Sequence, residues 1–322
     1  MTDMDGGDSA CWLDRVCARC GALSDEERPT TCARCGSTEF AEPMDGPAQV
    51  SVGDLTFDVW TMGPAEGEPI VLLHGFPETA QSWSLVAPAL ATAGFRVIAP
   101  NQRGYSAGAR PLEVAAYAAD ELVGDIVGLL DALDIESAHI VGHDWGAAVA
   151  WPLAVAHPDR VRSLTAVSVP HLAAYGWALR EDPDQQERAA YIGLFRKVGK
   201  AEALLLENDA ERLRAMFGTA VPPNLVDAHV EILSKPEAMT AALNWYRAMK
   251  ADLSALGPVT VPTTFVWSSG DTAIGRAGVE RCGEFVEAPY RFIELDDITH
   301  WIPEESPEVL ANAIIAQASA AN

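Results

Sequence analysis

An aspartate stands at the centre of VGHDWGA, residues 141–147, with Gly142 and Gly146 two positions to either side of Asp144. Apolar residues precede this frame and small ones follow it, which reads as strand, sharp turn, helix. Such a turn holds its central side chain out at the edge of a sheet, and flanking glycines are needed because larger residues there would clash. A serine in that position must lose its proton as it attacks, so it depends on a neighbouring base. A carboxylate, with a reference pKa near ~3.9, is ionised at neutral pH and can displace a leaving group at saturated carbon directly. The plainer reading of the pentad is a Gly-bounded turn with an N-capping Asp, and that reading needs no partners elsewhere.

The chain supplies partners. Sites built on such a turn run in the order nucleophile, acid, histidine. Asp271 follows the apolar run TTFVWSS, in SSGDTAIG, and His300 follows YRFIEL, in DDITHW. Both fall in loops after strand-like runs, where a sheet edge would gather them with Asp144. Asp296 and Asp297 are too close to His300 in sequence to be placed independently and read as solvated turn residues. His139, His157, His171 and His229 read as structural or surface positions. LLHGFPE, 72–78, is the loop expected to supply one oxyanion amide, with the residue after the nucleophile supplying the other. Those are the backbone N–H groups of Phe76 and Trp145. Pro77 would stiffen the loop, and His74 reads as a packing and hydrogen-bonding residue.

These residues need a scaffold that brings distant loops together. Residues 50–63 alternate around Gly53-Asp54, a hairpin signal. The runs at 69–75, 95–100, 138–143, 161–169, 263–269 and 290–295 are apolar and bounded by turn residues. Helical patterns lie between most of them, at 81–93, 114–133, 144–156, 275–286 and 306–318. Strands alternating with helices predict an α/β fold, with a mainly parallel sheet covered on both faces. Residues 170–255 break the rhythm. They hold no convincing strand and read as helices near 185–197, 200–217, 225–233 and 236–250, a helical lid over the edge of the sheet where ligands bind. The expected domains are residues 1–45 as a small module and linker, 46–169 and 256–322 as the core, and 170–255 as the lid.

From about residue 50 to 320 the chain resembles the epoxide-hydrolase branch of the α/β-hydrolase superfamily. HGFPE, GHDWG, NWYR at 244–247 and the Asp271/His300 pair carry the resemblance. APNQRGYSAG, 99–108, resembles a further family segment but has Asn101 where Asp is usual. The resemblance implies two lid tyrosines that donate hydrogen bonds to the epoxide oxygen. NWYR places one at Tyr246, and the other falls on Tyr191. The implied reaction is attack by Asp144 on an epoxide carbon while the phenols protonate the departing oxygen. His300, oriented by Asp271, then activates a water that hydrolyses the ester to a vicinal diol. Haloalkane dehalogenases use the same Asp–His–Asp logic, but their halide needs N–H donors. A dehalogenase often has a side-chain donor such as Asn where Phe76 stands, and NWYR also favours the epoxide. A hydrolase frame recruited as a non-catalytic binding module is the alternative of a different class. Trp83, Phe76, Trp145, Trp177 and Met249 suggest an apolar pocket, although aromatic residues at helical spacing are more often core; the expected partners are a small apolar epoxide and water.

The N-terminus carries a separate signal. Five of six cysteines fall in the first 35 residues, four of them as CARCG at 17–21 and again at 32–36. Two such knuckles can aim Cys17, Cys20, Cys32 and Cys35 at one tetrahedral ion, with Gly21 and Gly36 supplying positive φ. Zinc is favoured, with iron the lesser option. The stretch resembles the zinc-ribbon class. A closed four-cysteine site is structural, so no cofactor is expected for catalysis. The ribbon could serve a protein partner, and self-association is left open. No run of 18 apolar residues predicts a membrane span, and no secretory signal is visible, so a cytoplasmic, soluble chain is expected. The formal net charge of −24, with ten acidic against four basic residues in 1–46, excludes the basic face that nucleic-acid binding needs.

Overall fold

The computed structural model describes residues 44–250 and 255–321, together with Leu253 and, in the N-terminal segment, Cys17, Ser24, 30–34 and 36–38. Eight strands form one sheet: β1 (Asp45–Val52), β2 (Leu55–Met62), β3 (Glu68–Leu73), β4 (Phe95–Pro100), β5 (Ala138–His143), β6 (Val161–Val167), β7 (Thr263–Ser268) and β8 (Tyr290–Leu295). Their spatial order is β1-β2-β4-β3-β5-β6-β7-β8. The β1–β2 hairpin and the β2–β4 pair are antiparallel, and every pair from β4 to β8 is parallel.

The parallel strands need covering on both faces, and their sequences provide for it. In β3 successive side chains point to opposite faces, yet Ile70, Val71, Leu72 and Leu73 are all fully buried. Val71 and Leu73 join the core that includes helices α2 (Ala119–Ala132) and α3 (Trp145–Ala156). Ile70 and Leu72 join the opposite core, formed with α1 (Ala87–Thr92) and, from the end of the chain, the helix Pro307–Ala320. Each such aliphatic side chain contributes about 1.5–3 kcal/mol on burial, so the strand that precedes the HGFPE loop is anchored from two sides.

Between β6 and β7 the described chain is helical: α4 (Leu172–Glu181), α5 (Pro183–Arg188), α6 (Ile192–Phe195), α7 (Lys200–Ala215), α8 (Pro223–Leu233) and α9 (Ala238–Ala248). Non-helical backbone at 207–210 kinks α7. The short α10 (Arg276–Glu280) and α11 (Ile302–Glu305) and the terminal α12 (Pro307–Ala320) complete the order.

Three readings of the sequence need correction. The Pro- and Gly-bearing stretch 41–49 is not all linker, because Asp45 and residues 48–52 pair with β2 across a register shift. Helix α4 went unread, and so did α11. Of the aromatic residues assigned to a pocket, Trp83 is fully buried in the core beneath α1 and α12. Trp177 instead lies under the Arg281 guanidinium, 4.3 Å from its ring centroid.

The ribbon cysteines Cys20 and Cys35 lie outside the described residues, as does Gly21. Cys17 and Cys32 are buried. Around Cys32 the chain turns tightly: Gly36 N–H donates to the Cys32 carbonyl (2.9 Å), Cys32 N–H to the Ser37 carbonyl (2.7 Å), and Gly36 has φ +73°. Among the described residues, no three His, Cys, Asp or Glu side chains gather as metal ligands.

Candidate active site

Asp144 sits between the end of β5 and the first residue of α3 with φ 51° and ψ −117°, a backbone state that costs on the order of 1–3 kcal/mol. The two glycines permit it. A Cβ on Gly142 would lie 2.3 Å from the Gly146 carbonyl oxygen, and one on Gly146 would lie 2.0 Å from that of Leu73. Gly75, on the neighbouring β3 loop, is held to glycine for the same reason, since a Cβ there would lie 2.5 Å from that of Asp144. The close approach lets Phe76 N–H donate to Asp144 Oδ1 at 2.9 Å. Trp145 opens α3, where a backbone N–H has no partner within the helix.

The loops after β7 and β8 bring the other two groups. His300 Nδ1–H donates to Asp271 Oδ2 at 2.8 Å, and His300 Nε2 stands 3.6 Å from Asp144 Oδ2. The longer distance is an ion pair without a hydrogen bond. Asp271 Oδ1 accepts from the N–H groups of Ala273 (2.8 Å) and Ile274 (2.9 Å). Burial alone would raise the Asp271 pKa, but the His300 charge, its hydrogen bond and these two amides outweigh it, and the net shift is downward. Burial would likewise lower His300. The facing carboxylates of Asp271 and Asp144 reverse this and hold it well above its ordinary value.

Two tyrosines complete the arrangement. Tyr246 on α9 packs edge-on against Trp145 (ring centroids 5.0 Å apart), Phe76 (5.4 Å) and Tyr191 (6.1 Å). Burial, the neighbouring phenols and the Asp144 charge push both tyrosines well above the usual phenol value. Two cavities meet here, and both are bordered by Asp144, Tyr191 and Tyr246. One, of about 100 Å³, is lined by apolar groups including Val149, Leu172, Trp245 and Met249. The other, of about 850 Å³, runs past Phe76, Phe217, His300 and Trp301.

A family model for the α/β hydrolase fold matches residues 68–307. The chain belongs to the α/β hydrolase fold family. An AB hydrolase superfamily protein, YfhM, of Bacillus subtilis is 35% identical over 83% of this chain and 95% of its own length. Epoxide hydrolase A of Mycobacterium tuberculosis is 34% identical over 77% of this chain and 90% of its own. Among solved structures, epoxide hydrolase A from Mycobacterium thermoresistibile superposes with a TM-score of 0.74 at 29% identity, covering 85% of this chain and 98% of that one. With such relatives the chain is a hydrolase enzyme.

Around the centre of this α/β hydrolase lie supports, of which the sequence singles out His74 and Asn101 but not Gln185, Arg188 and His143. His74 is neutral because burial pushes it down to about 4. Its Nδ1–H donates to the Gly75 carbonyl (2.9 Å) and its Nε2 accepts from Gln102 N–H (3.2 Å), which ties the HGFPE loop to the loop after β4. Gln185 on α5 donates to the Ala273 carbonyl and accepts from Gly275 N–H, both at 2.9 Å, while Arg188 Nη1 donates to the Asp271 carbonyl at 2.5 Å. Helix α5 thus braces the loop that carries Asp271. Asn101, at the position where the sequence resemblance implied Asp, accepts from Ala80 N–H through Oδ1 at 2.9 Å. The fully buried Glu78 and His143 bond to each other at 2.9 Å. Both lie in segments that carry the resemblance, Glu78 in HGFPE and His143 in GHDWG.

Proposed function

We propose that this hydrolase opens an epoxide to a vicinal diol through a transient ester on Asp144. The observation that carries the reading is that Asp144, His300 and the phenols of Tyr191 and Tyr246 border one cavity. Asp144 attacks one ring carbon, forming a C–O bond as the ring C–O bond breaks. The departing oxygen is a strong base and takes a proton from the phenols, which burial keeps protonated at rest. His300, held by Asp271, removes a proton from a water that attacks the ester carbonyl, and the Phe76 amide already touching Asp144 Oδ1, with that of Trp145, stabilises the charge that develops. Helices α4 to α9 act as a lid that keeps bulk water from the ester. The names of the relatives support the choice of epoxide.

One turnover in ¹⁸O-labelled water tests the ester. The first diol is expected to carry unlabelled oxygen and the Asp144 peptide to gain the label; label in the first diol would overturn the route. Tyr246→Phe is expected to lower kcat on the order of 10²-fold with little change in fold, checked by steady-state kinetics beside a thermal melt. A dehalogenase would release halide from a haloalkane panel without needing that hydroxyl. We also assign a structural zinc, with no part in the chemistry, to Cys17, Cys20, Cys32 and Cys35; metal analysis of the purified full chain is expected to return one zinc per molecule.

A further inference from the structure

Behind His300 lies a buried polar chain that the proposed reaction does not use. Glu78 Oε2 accepts from Gly75 N–H (3.2 Å) and from His143 Nδ1–H (2.9 Å). The other nitrogen of His143, Nε2, donates to the His300 carbonyl at 2.9 Å. The two imidazole rings lie 4.9 Å apart. The His300 carbonyl can only accept, so Nε2 carries a proton; opposite an ionised Glu78 the second nitrogen donates as well, and the ring then carries two protons and one positive charge. On α11, four residues past His300, Glu304 is buried, and α11 packs on the Ala80–Leu85 turn that follows Glu78, which brings the two carboxyls into each other's field.

Two carboxylates cannot hydrogen-bond to each other. If both were ionised, Glu78 Oε1 and both Glu304 oxygens would face no donor among the described residues, in a site closed to water. That arrangement is expensive for buried polar groups. A single proton between the acids supplies the missing donor and leaves one negative charge opposite the one positive charge on His143.

We propose that Glu78 and Glu304 share one proton, and that Glu304 is a positioning residue which, by holding the pair at a single negative charge, fixes the Glu78–His143–His300 chain behind the active site. Among the described residues the surroundings offer no second counter-charge. His229 on α8 is neutral, pushed by burial down to about 4, with Nδ1 on the Thr79 hydroxyl at 3.0 Å. His74 is neutral as described. Glu305, beside Glu304, accepts from Thr299 N–H at 2.7 Å. Asp144 and His300 face each other on the cavity side. Burial opposes ionisation of both acids, yet the His143 charge and hydrogen bond take Glu78 down to about 2, while burial and the Glu78 charge hold Glu304 well above the ordinary value. The shared proton is thus held more strongly on the Glu304 side. Because the folded state binds it more tightly than the unfolded chain, its contribution is present at low pH and is lost as pH rises through the folded-state value.

The kinetic arm of the test rests on the hydrolase reading above; the spectroscopic arm does not. In the full-length protein with ¹³C-labelled glutamate carboxyls, one glutamate is expected to remain protonated at about pH 7 and to vanish from the spectrum of Glu304→Gln. Ionisation of every glutamate below about pH 6 would overturn the proposal. With styrene oxide as the probe, Glu304→Ala is expected to lose about 10-fold in kcat with KM little changed. Glu304→Gln, whose amide still donates and cannot ionise, is expected to recover most of that loss and to keep its rate at alkaline pH, where the wild type declines. Equal losses in the Ala and Gln variants would refute the positioning role. A wild type inert to styrene oxide would count against the hydrolase reading, and the carboxyl spectrum would still decide where the proton sits.

Discussion

Asp144→Asn is expected to abolish epoxide opening, with kcat/KM falling on the order of 10⁴-fold or more. An amide oxygen carries no full negative charge and cannot displace an alkoxide at saturated carbon at a useful rate. The substitution leaves the surroundings nearly unchanged. The Asn Oδ1 can still accept from Phe76 N–H, which donates to Asp144 Oδ1 at 2.9 Å in the native chain, and the positive φ at this position suits Asn better than most residues. Folding should therefore survive, and a thermal melt close to that of the wild type separates a chemical defect from a structural one. The variant also loses one of the two charges that hold His300 above its ordinary value, so the His300 resonance is expected to titrate at lower pH than in the wild type. Diol formation at the wild-type rate by folded Asp144→Asn would mean that another group attacks the substrate.

The parts of this site that were legible in the sequence are those enforced by local geometry. The pentad around Asp144 announces itself because a side chain on Gly142 or Gly146 would collide with backbone within 2.3 Å. Asp271 and His300 could be picked out because each follows an apolar run by a few residues, and those runs are β7 and β8. What the sequence could not announce depends on contacts between segments far apart in the chain. Glu78 and Glu304 meet only because α11 packs beside the loop after β3, and nothing in either local pattern sets one carboxyl against the other. Trp83 and Trp177 show the converse error. An aromatic residue at helical spacing fits a cavity wall and a core equally well, and only the third dimension buries Trp83 and covers Trp177 with Arg281. Helix α4 escaped notice because LAAYGWALRE follows a strand and carries Gly176, whose low helix propensity weakens the pattern. Packing overrides it: a Cβ at that glycine would sit 2.9 Å from Leu253 Cβ.

His300→Gln is expected to split the reaction at the ester. The first half needs the Asp144 carboxylate and the phenols, so an epoxide should still be opened once. The second half needs a base, and glutamine is none, so the alkylated enzyme should accumulate while steady-state diol formation falls on the order of 10³-fold or more. Intact-mass analysis after mixing with excess epoxide is expected to show one added substrate mass per chain, located on the Asp144 peptide; an unmodified variant would show that the imidazole is needed for the opening step too. The pH dependence has a definite sign. At rest His300 is held protonated by Asp271, 2.8 Å away, and by Asp144, 3.6 Å away. Ester formation neutralises Asp144 and removes one of those two charges, so the imidazole becomes easier to deprotonate when a base is required. Wild-type hydrolysis of the ester should therefore rise with pH through the histidine value of the alkylated enzyme, lying below that of the resting enzyme, and be lost as pH falls. In His300→Gln that limb should disappear, leaving a slow, nearly pH-independent release.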